Sequence, residues 1–293
     1  MFNIVAYKNI FVGFSLLLVI GALVSIGMFS FRLGIDFTGG TLWQVQMTDA
    51  VNAQQLTDYM AQEFKKEVHI TTNGSGDAFF IRTDAISEED HQTYREALIK
   101  KYPTFQELRF ESIGPTIGSE LLHKALIAFV IVLCGISLYI AFAFRKVSKP
   151  VSSWKYGIIT LVTLFHDAVI PAGVYAALGY WKGFEIDTNF IVALLVIIGF
   201  SVHDTIVVFD RIRENLLTQK GKQLGEIINM SVSQIITRSV NTSLTLILVL
   251  IALFLFGAES LRYFMLLILM GTVVGVYSSI FVASPLLLFS YKK

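Results

Sequence analysis

The stretch Gly199–Asn215, GFSVHDTIVVFDRIREN, decides the fold of this chain. It begins inside a long apolar run, ends in a charged cluster, and carries His203 and Asp204 where a membrane helix rarely has either. A charge at the middle of a membrane helix costs about 2.5–3.5 kcal/mol, so a chain that keeps one there usually uses it for ion passage, proton relay or helix pairing. The alternative is that Asp204 is protonated, or lies near the interface and only pins two helices together.

The composition around this stretch is not that of a purely soluble protein. Hydrophobic residues make up 54% of the 293 residues and charged residues 15%, and the mean hydropathy is +0.65. Apolar runs of about 20 residues recur, long enough to cross a hydrocarbon core of about 30 Å. They predict a polytopic α-helical membrane protein with six transmembrane helices, at Ile10–Phe29, Ala125–Phe144, Gly157–Leu178, Phe190–Phe209, Ser239–Gly257 and Phe264–Leu288.

Lysine and arginine residues in the short loops predict the orientation, because cytoplasmic loops are enriched in them. The loops after spans two and four and the C-terminus are basic, and we therefore expect both termini in the cytoplasm. Residues 1–29 then form the N-terminus and a retained first helix rather than a cleaved signal. Residues 30–122 form an external domain, and residues 123–293 form helices two to six with cytoplasmic loops. The basic residues are Arg145, Lys146, Lys149, Lys155, Arg211, Arg213, Lys220, Lys222, Arg238, Lys292 and Lys293.

The external segment has the pattern of a small globular domain. Trp43 and Val45 alternate with polar residues as in a strand, and Leu56 and Met60 recur at helical spacing. Ser87 is placed to cap a second helix. Further strands are predicted at Glu67–Thr72, Ala78–Asp84 and Phe105–Ile113, with a turn at Asn73–Gly76. The order βαββαβ predicts a ferredoxin-like domain between helices one and two.

Two glycine-containing junctions connect this domain to the first two spans. The first, LGIDFTGGT, includes Gly39 and Gly40, and the second, GPTIG, includes Gly114, Pro115 and Gly118. Glycine allows unusual backbone angles, so we interpret both junctions as hinge-like corners. Such corners fit a domain that moves, and equally a chain that only changes direction.

The third span carries the same dipeptide as the fourth, with His166 and Asp167 at mid-depth. Neighbours in a helix point about 100° apart, so only one of the two needs to face a given partner. These residues are secondary candidates for an ion path.

An apolar stripe at Leu224–Ile236 predicts an amphipathic helix lying along the inner membrane surface. That helix would deliver Arg238 to the start of span five. There Arg238 either counts toward the basic loop or reaches in and pairs with Asp204.

These residues suggest a charge network inside a helix bundle. We expect Asp204, Arg238 and His203 to be the ion-coupling residues. An Asp–Arg pair that breaks on protonation would convert a proton gradient, worth about 2.3 kcal/mol per charge per 100 mV, into helix movement. A metal-dependent enzyme built on the His–Asp dipeptides is a competing class. Since no further ligands or phosphate-binding loop accompany them, we expect no catalytic residue and no metal.

Several motifs resemble the SecD/SecF family of protein-export membrane proteins, in the resistance-nodulation-division (RND) superfamily. They are GIDFTGGT after span one, GPTIG before span two, HD in span three, GFSVHDTIVVFDRIREN in span four and RSVNTSLT opening span five. The resemblance covers nearly the whole chain and implies a six-helix half of an RND-type bundle. It also implies that Asp204 and Arg238, which match functional positions of the family, are functional here.

The resemblance further implies an auxiliary role in the Sec protein translocase, late in export and driven by the proton motive force. The implied location is the bacterial cytoplasmic (inner) membrane. The implied partners are SecD, which supplies the other six spans, the SecYEG translocon with a YajC-type accessory protein, unfolded secretory polypeptide and membrane lipids, with no nucleic acid. No cofactor is implied beyond the coupling ion, a proton or, as in some relatives, sodium.

His203 departs from the family pattern, which usually has Asn at this position. It adds a group able to titrate near neutral pH and leaves the coupling ion open. Half of a proton-coupled small-molecule or lipid exporter is the second interpretation, although such exporters usually carry larger external domains. A non-catalytic membrane scaffold is the third.

Overall fold

The computed structural model describes residues 3–47, 51–72, 78–145, 151–219, 221–258 and 261–291. The elements in chain order are α1 (Lys8–Phe29), α2 (Ile35–Thr38), β1 (Gly40–Gln46), α3 (Ala53–Phe64), β2 (His69–Thr72), β3 (Ala78–Thr83), α4 (Glu88–Lys101), β4 (Gln106–Ile113), α5 (Pro115–Ala143), α6 (Ser153–Lys182), α7 (Thr188–Thr218), α8 (Leu224–Phe256), α9 (Arg262–Ser278), a π-helical segment (Ser279–Ala283) and α10 (Ser284–Phe289). The predicted turn Asn73–Gly76 and the loop residues Lys146, Lys149, Lys220, Lys292 and Lys293 lie outside the described residues.

Six helices in the described part of the chain are long and apolar enough to cross a membrane, which confirms the predicted number of spans. They are α1, α5, α6, α7, α8 and the run from α9 through α10. The chain divides into two compact units. One, here called the membrane unit, comprises residues 1–32 and 127–293, and the other, the α/β domain, is Leu33–Leu126.

The third spanning helix, α6, lies at the centre of the membrane unit. Its most apolar stretch is 67% buried, against 6% for α5 and 17% for α8. Helices α1, α7 and α9 pack against α6, and Ser25 of α1 donates a hydrogen bond to the Gly173 carbonyl at 2.7 Å. The weakly covered helices α5 and α8 therefore leave broad faces for lipid or for another protein. Cys134, whose place in an apolar run predicts a small packing residue, instead lies exposed on α5.

The ends of the spanning helices follow local signals. Asp187 caps α7, where its carboxylate accepts a hydrogen bond from the Phe190 N–H at 2.9 Å. Pro115 is the first residue of α5, a position where a missing N–H costs little, and α5 therefore begins before the predicted Ala125.

The separate surface helix predicted after span four is wrong. Residues Leu224–Phe256 form one continuous helix, because no glycine or proline interrupts the chain after Gly225. Ile228 and Val232 of the apolar stripe are buried in one cluster with Phe209 of α7. The stripe thus packs on protein and extends span five instead of lying on a membrane surface.

The α/β domain has the predicted βαββαβ order. In the described residues its four strands form an antiparallel sheet in the order β2-β3-β1-β4. Trp43 in the central strand β1 pairs with Ile81 of β3 and with Phe110 of β4. This is the strand order expected of a ferredoxin-like domain.

The core of the α/β domain lies between the sheet and its two longer helices. Trp43, Leu56 and Leu98 are at most 1% exposed. The indole Nε1 of Trp43 donates to Glu107 at 2.9 Å, and His91 contacts the same carboxylate at 2.8 Å. His91 is therefore a buried packing residue with a satisfied ring nitrogen.

Candidate functional site

A polar face runs along the inside of α6. Tyr156, Thr160, Thr163 and Asp167 recur at spacings of three or four residues, so they lie on one side of the helix. All four are fully buried. Thr160 and Thr163 donate to carbonyls of their own helix at 2.9 Å. Among the described residues the Tyr156 hydroxyl has no hydrogen-bond partner, and Asp167 is the member of this face that is hydrogen-bonded by other helices.

Three helices supply hydrogen bonds to Asp167. His166 Nδ1 lies 2.8 Å from Oδ1, Ser278 of α9 donates to Oδ2 at 2.7 Å, and Ser201 of α7 donates a short hydrogen bond to Oδ2. Asp167 is 0% exposed. A buried carboxyl needs such donors because an unpaired polar group away from water costs several kcal/mol in hydrocarbon surroundings.

Two adjacent serines where α9 meets the π-helical segment contact two different helices. Ser278 contacts Asp167 of α6, whereas the Ser279 hydroxyl lies 3.0 Å from that of Thr205 on α7. Pro285 has no N–H to continue the regular ladder, and a π segment is one way to accommodate the interruption. Such segments occur frequently at functional sites.

Asp204 is buried next to this cluster but has fewer and longer contacts. It is 4% exposed, and Ser243 of α8 lies 3.4 Å from its Oδ2. His203 Nδ1 is 3.8 Å from its Oδ1. Ser201, which donates to Asp167, precedes Asp204 by three residues on α7. One turn of this helix therefore carries both Asp204 and a hydrogen-bond partner of Asp167.

His203 lies on the opposite side of α7 from the core. Its side chain is 74% exposed within this chain. The exposed face of α7 includes Val192, Val196, Gly199 and His203, at a spacing of three or four residues. His203 is therefore at the edge of the candidate site and faces whatever covers α7.

Arg238 does not pair with Asp204 in this structure. Arg238 is exposed, and among the described residues it forms no ion pair with Asp204. It precedes Ser243 by five residues, or roughly 7.5 Å along α8. Five residues also rotate the side chain by about 140°, so Arg238 points away from the Asp204 contact. The predicted pair thus requires α8 to move or turn relative to α7.

The two glycine junctions meet inside the α/β domain. Gly39 has φ +75 and ψ 171, a conformation that is essentially restricted to glycine. A Cβ atom on Gly39 would lie 2.5 Å from Pro115 Cα, and one on Gly118 would lie 2.8 Å from Gly39 N. Gly40 has φ +118, and a Cβ atom on Gly114 would meet no other atom within 4 Å. The hinge role of these residues stays a prediction; the structure places Gly39, Pro115 and Gly118 in close contact.

Two serines in the centre of the site were not expected from the sequence. Ser201 stands in the same motif as Asp204, and Ser278 stands next to another serine in an apolar span. The sequence signal that could have indicated them is the recurrence of polar residues inside apolar spans. The structure also gives Asp167, a secondary candidate in the sequence, more hydrogen-bond partners than Asp204.

The described residues include no group of three or more His, Cys, Asp or Glu side chains placed to hold a metal ion. The oxygen atoms gathered around Asp167 come from one carboxylate and two hydroxyls. This donor set is suited to a proton or to a small hard cation.

The fold and the site define a class of protein. A six-helix membrane unit with buried carboxyl groups and a βαββαβ domain between its first two spans is the architecture of one half of an RND-type membrane protein. A family model described as "Protein export membrane protein SecD/SecF, C-terminal" matches residues 93–293. A second, "SecD/SecF GG Motif", matches residues 24–51. The chain belongs to the SecD/SecF family.

Named relatives match over nearly the full chain. Protein translocase subunit SecF of Thermobaculum terrenum is 41% identical over 298 residues, covering 98% of this chain and 93% of the relative. The subunit of the same name from Helicobacter pylori strain J99 is 35% identical, covering 94% of this chain and 83% of the relative. The crystal structure of SecDF from Thermus thermophilus, described as a translocon-associated membrane protein, is 33% identical with a TM-score of 0.82. It covers 98% of this chain, which spans only 38% of that longer chain.

Proposed function

We propose that this chain is an auxiliary subunit of the Sec protein translocase that acts with SecD and uses an ion gradient to assist late steps of protein export. The observation that carries the proposal is a carboxyl group, Asp204, buried in a membrane-spanning helix next to α8 in a chain related to translocase subunits. A membrane protein retains such a group at a cost, and ion coupling is a use that would explain it.

The uncovered face of α8 supports a membrane partner. Arg238, Asn241, Thr242 and Thr245 recur at helical spacing and are all exposed within this chain. Polar side chains are costly when they face hydrocarbon, so another protein is a better cover for this stripe than lipid. The chain also matches only 38% of the solved SecDF chain. We infer that SecD covers this face and completes the bundle.

The basic residues support an orientation with both termini in the cytoplasm of a bacterial inner membrane. Lys155, at the start of α6, donates to the Ser290 carbonyl at 2.6 Å, and the Val5 N–H donates to Asn229 at 3.1 Å. Ile4 and Leu287 are also buried in one cluster with Tyr156, near the start of α6, so both ends of the membrane unit lie on the same side as that start. Arg145 and Lys155 flank that start, and cytoplasmic loops are enriched in such residues. In this orientation the α/β domain lies outside.

The coupling step follows from the positions of Asp204 and Arg238. In this structure Asp204 contacts Ser243, and Arg238 is exposed. We infer that a charged Asp204 attracts Arg238 and that proton binding removes this attraction, so α8 moves relative to α7 in each cycle. One charge crossing 100 mV supplies about 2.3 kcal/mol, enough to change a two-state equilibrium about fiftyfold. Sodium in place of the proton would act through the same carboxylate.

The remaining partners rest on the family resemblance. They are the SecYEG translocon, a YajC-type accessory protein and the unfolded secretory polypeptide. Pull-down of the translocon with the tagged chain from solubilised membranes tests the first of them, and absence of SecYEG from the eluate would count against it.

An export assay tests the proposed function. Cells depleted of their own copy receive the wild-type chain, Asp204→Asn or the control Asp210→Asn, at equal membrane abundance and with the cognate SecD. Asp210 lies on the same helix but forms a surface ion pair with Arg213 at 3.1 Å, so its loss removes a charge without touching the site. We expect the wild type and Asp210→Asn to restore export and Asp204→Asn to fail. Full export by Asp204→Asn would instead favour a passive scaffold, and replacing sodium in the medium distinguishes the two coupling ions.

A further inference from the structure

The Asp167 cluster is a second buried carboxyl site, and the coupling step proposed above does not use it. Asp167 accepts hydrogen bonds from α6, α7 and α9, which is a denser set of contacts than that of Asp204. If Asp167 only held the helices together, the buried polar atoms next to it would be expected to have hydrogen-bond partners too. His166 does not meet that expectation.

The second ring nitrogen of His166 is buried and has no hydrogen-bond partner among the described residues. The His166 side chain is 5% exposed, and its Nδ1 is occupied by Asp167 at 2.8 Å. A buried unpaired ring nitrogen is costly, and it leaves the His–Asp pair with one end engaged and one end open. Serine–histidine–aspartate groups of hydrolases use the same kind of pair, in which the carboxylate fixes the tautomer of the ring.

The chemistry of the pair allows it to take up one proton without moving any heavy atom. With Asp167 charged, Nδ1–H donates to Oδ1, and Nε2 is a free acceptor. A proton that arrives at Nε2 gives an imidazolium beside the carboxylate. Transfer of the Nδ1 proton to Oδ1 then leaves a neutral Asp167 and a neutral ring that carries its proton on Nε2. One proton has been bound, and Nε2 has changed from an acceptor to a donor.

The surrounding helices are placed to respond to this change. Ser201 and Ser278 donate to Oδ2, and a carboxylate accepts such bonds more strongly than a neutral carboxyl does. Proton uptake therefore weakens contacts that α6 makes with α7 and α9. On α7, Ser201 lies three residues before Asp204, so the same turn carries the change toward the first site.

Among the described residues of the helices packed on α6, the charged or imidazole groups around Asp167 come from two helices, since α1 carries no Asp, Glu, His, Lys or Arg between Ile10 and Phe29. On α6 it is His166, and on α7 it is Asp204, one turn from Ser201. Between Tyr263 and Ser278, α9 carries no Asp, Glu, His, Lys or Arg, and its contact is a serine.

We propose that Asp167 and His166 form a second proton-binding site of the membrane unit, loaded through His166 Nε2 and coupled to α7 and α9 through Ser201 and Ser278. The proposal rests on the proposed ion-coupled function, since it adds a second site to that path. It makes Asp167 a proton carrier and the two serines positioning residues.

Infrared difference spectroscopy on the full chain, co-purified with SecD in lipid nanodiscs, tests this proposal. A protonated buried carboxyl gives a carbonyl band that is separate from those of carboxylates. We expect two such bands to titrate in the wild type, one lost in Asp204→Asn and the other lost in Asp167→Asn. The control Thr163→Val keeps both, because Thr163 is buried on the same face of α6 but bonds only to its own helix. An unchanged spectrum in Asp167→Asn overturns the proposal.

Two milder variants decide the question if Asp167→Asn does not fold. Ser278→Ala removes one hydroxyl donor from the carboxylate and should move the titration midpoint of the Asp167 band by about one pH unit, or about 1.4 kcal/mol. His166→Asn should keep the Asp167 band but slow its appearance after a pH jump by about 100-fold, since a positioned acid–base group contributes at least that much. An unmoved midpoint together with an unchanged rate overturns the proposal.

The spectroscopic result does not depend on export. An export defect in Asp204→Asn together with a wild-type spectrum for Asp167→Asn leaves the proposed function standing and refutes the second site. If Asp167→Asn loses its carbonyl band, the second protonation site is supported. If Asp204→Asn exports normally in the same experiments, the proposed function is refuted.

Discussion

Replacing Gly39 by alanine should destabilise the α/β domain strongly. At φ +75 and ψ 171 the backbone of Gly39 is in a region that is essentially restricted to glycine, and a side chain there costs about 1–3 kcal/mol. The new Cβ would also lie 2.5 Å from Pro115 Cα, which is backbone and cannot rotate away. Overpacking of this kind costs about 1–3 kcal/mol more. The total is roughly 2–6 kcal/mol.

Thermal unfolding of the full chain measures this effect. Each kcal/mol corresponds to about 4–8 °C for a domain of 60–100 residues, so Gly39→Ala should lower the Tm of the α/β domain by at least about 8 °C. Trp43 is buried in the core of that domain and reports its unfolding once Trp154 and Trp181 are replaced by phenylalanine.

The junction offers its own control and a second test. Gly114→Ala adds a Cβ that meets nothing within 4 Å, and its Tm should stay close to that of the parent. Gly118→Ala brings a Cβ against Gly39 N, so the double variant with Gly39→Ala should cost less than the sum of the single changes. If Gly39→Ala melts within about 2 °C of Gly114→Ala, well below the shift worked out above, the close contact between the two junctions is wrong.

Two further changes test the α/β domain. Leu56→Ala removes a side chain that is 0% exposed and should cost about 2–5 kcal/mol, measured by the same Trp43 melts, whereas an unchanged Tm would mean that α3 is not packed on the sheet. Hydrogen bonds from Gln92 and His91 hold the pKa of Glu88 below its usual range. Because the pKa is lower in the folded state, Glu88 stabilises the fold above its unfolded pKa of 4.5, and this stabilisation is lost as the pH falls through the folded pKa. The Tm of the wild type should therefore converge on that of Glu88→Gln in acid. A difference in Tm that stays constant at every pH would contradict this.

The elements of the fold were predictable because their signals are local. Six apolar runs each became a spanning helix, and the alternation around Trp43 became the central strand of the sheet. Ser87 caps the helix that the sequence assigns to it, because its side chain meets an N–H group only three residues away.

The course of α8 was not predictable from an apolar stripe alone. A stripe on one face of a helix indicates burial, but it does not say whether lipid or protein covers that face. Burial of Ile228 and Val232 in one cluster with Phe209 of α7 settles this, and it is a property of the tertiary packing.

The candidate site was predictable in its charged residues and not in its geometry. Asp204 and Asp167 stand out because charges are rare in apolar spans. Their unequal surroundings depend on which hydroxyls the neighbouring helices present, and Ser278 reaches Asp167 from the last turn of α9. The exposed position of Arg238 likewise depends on the rotation of α8 about its axis.

In the proposed function, Asp204 couples an ion gradient to protein export. The most direct measurement is the rate at which a trapped, partly exported precursor completes export in membrane vesicles that contain the chain, SecD and the translocon. It is taken with and without a protonophore for the wild type, Asp204→Asn and Asp210→Asn. We expect the protonophore to slow export by the wild type and Asp210→Asn and to leave Asp204→Asn unaffected at the slow rate. A fast, protonophore-sensitive rate in Asp204→Asn would contradict it.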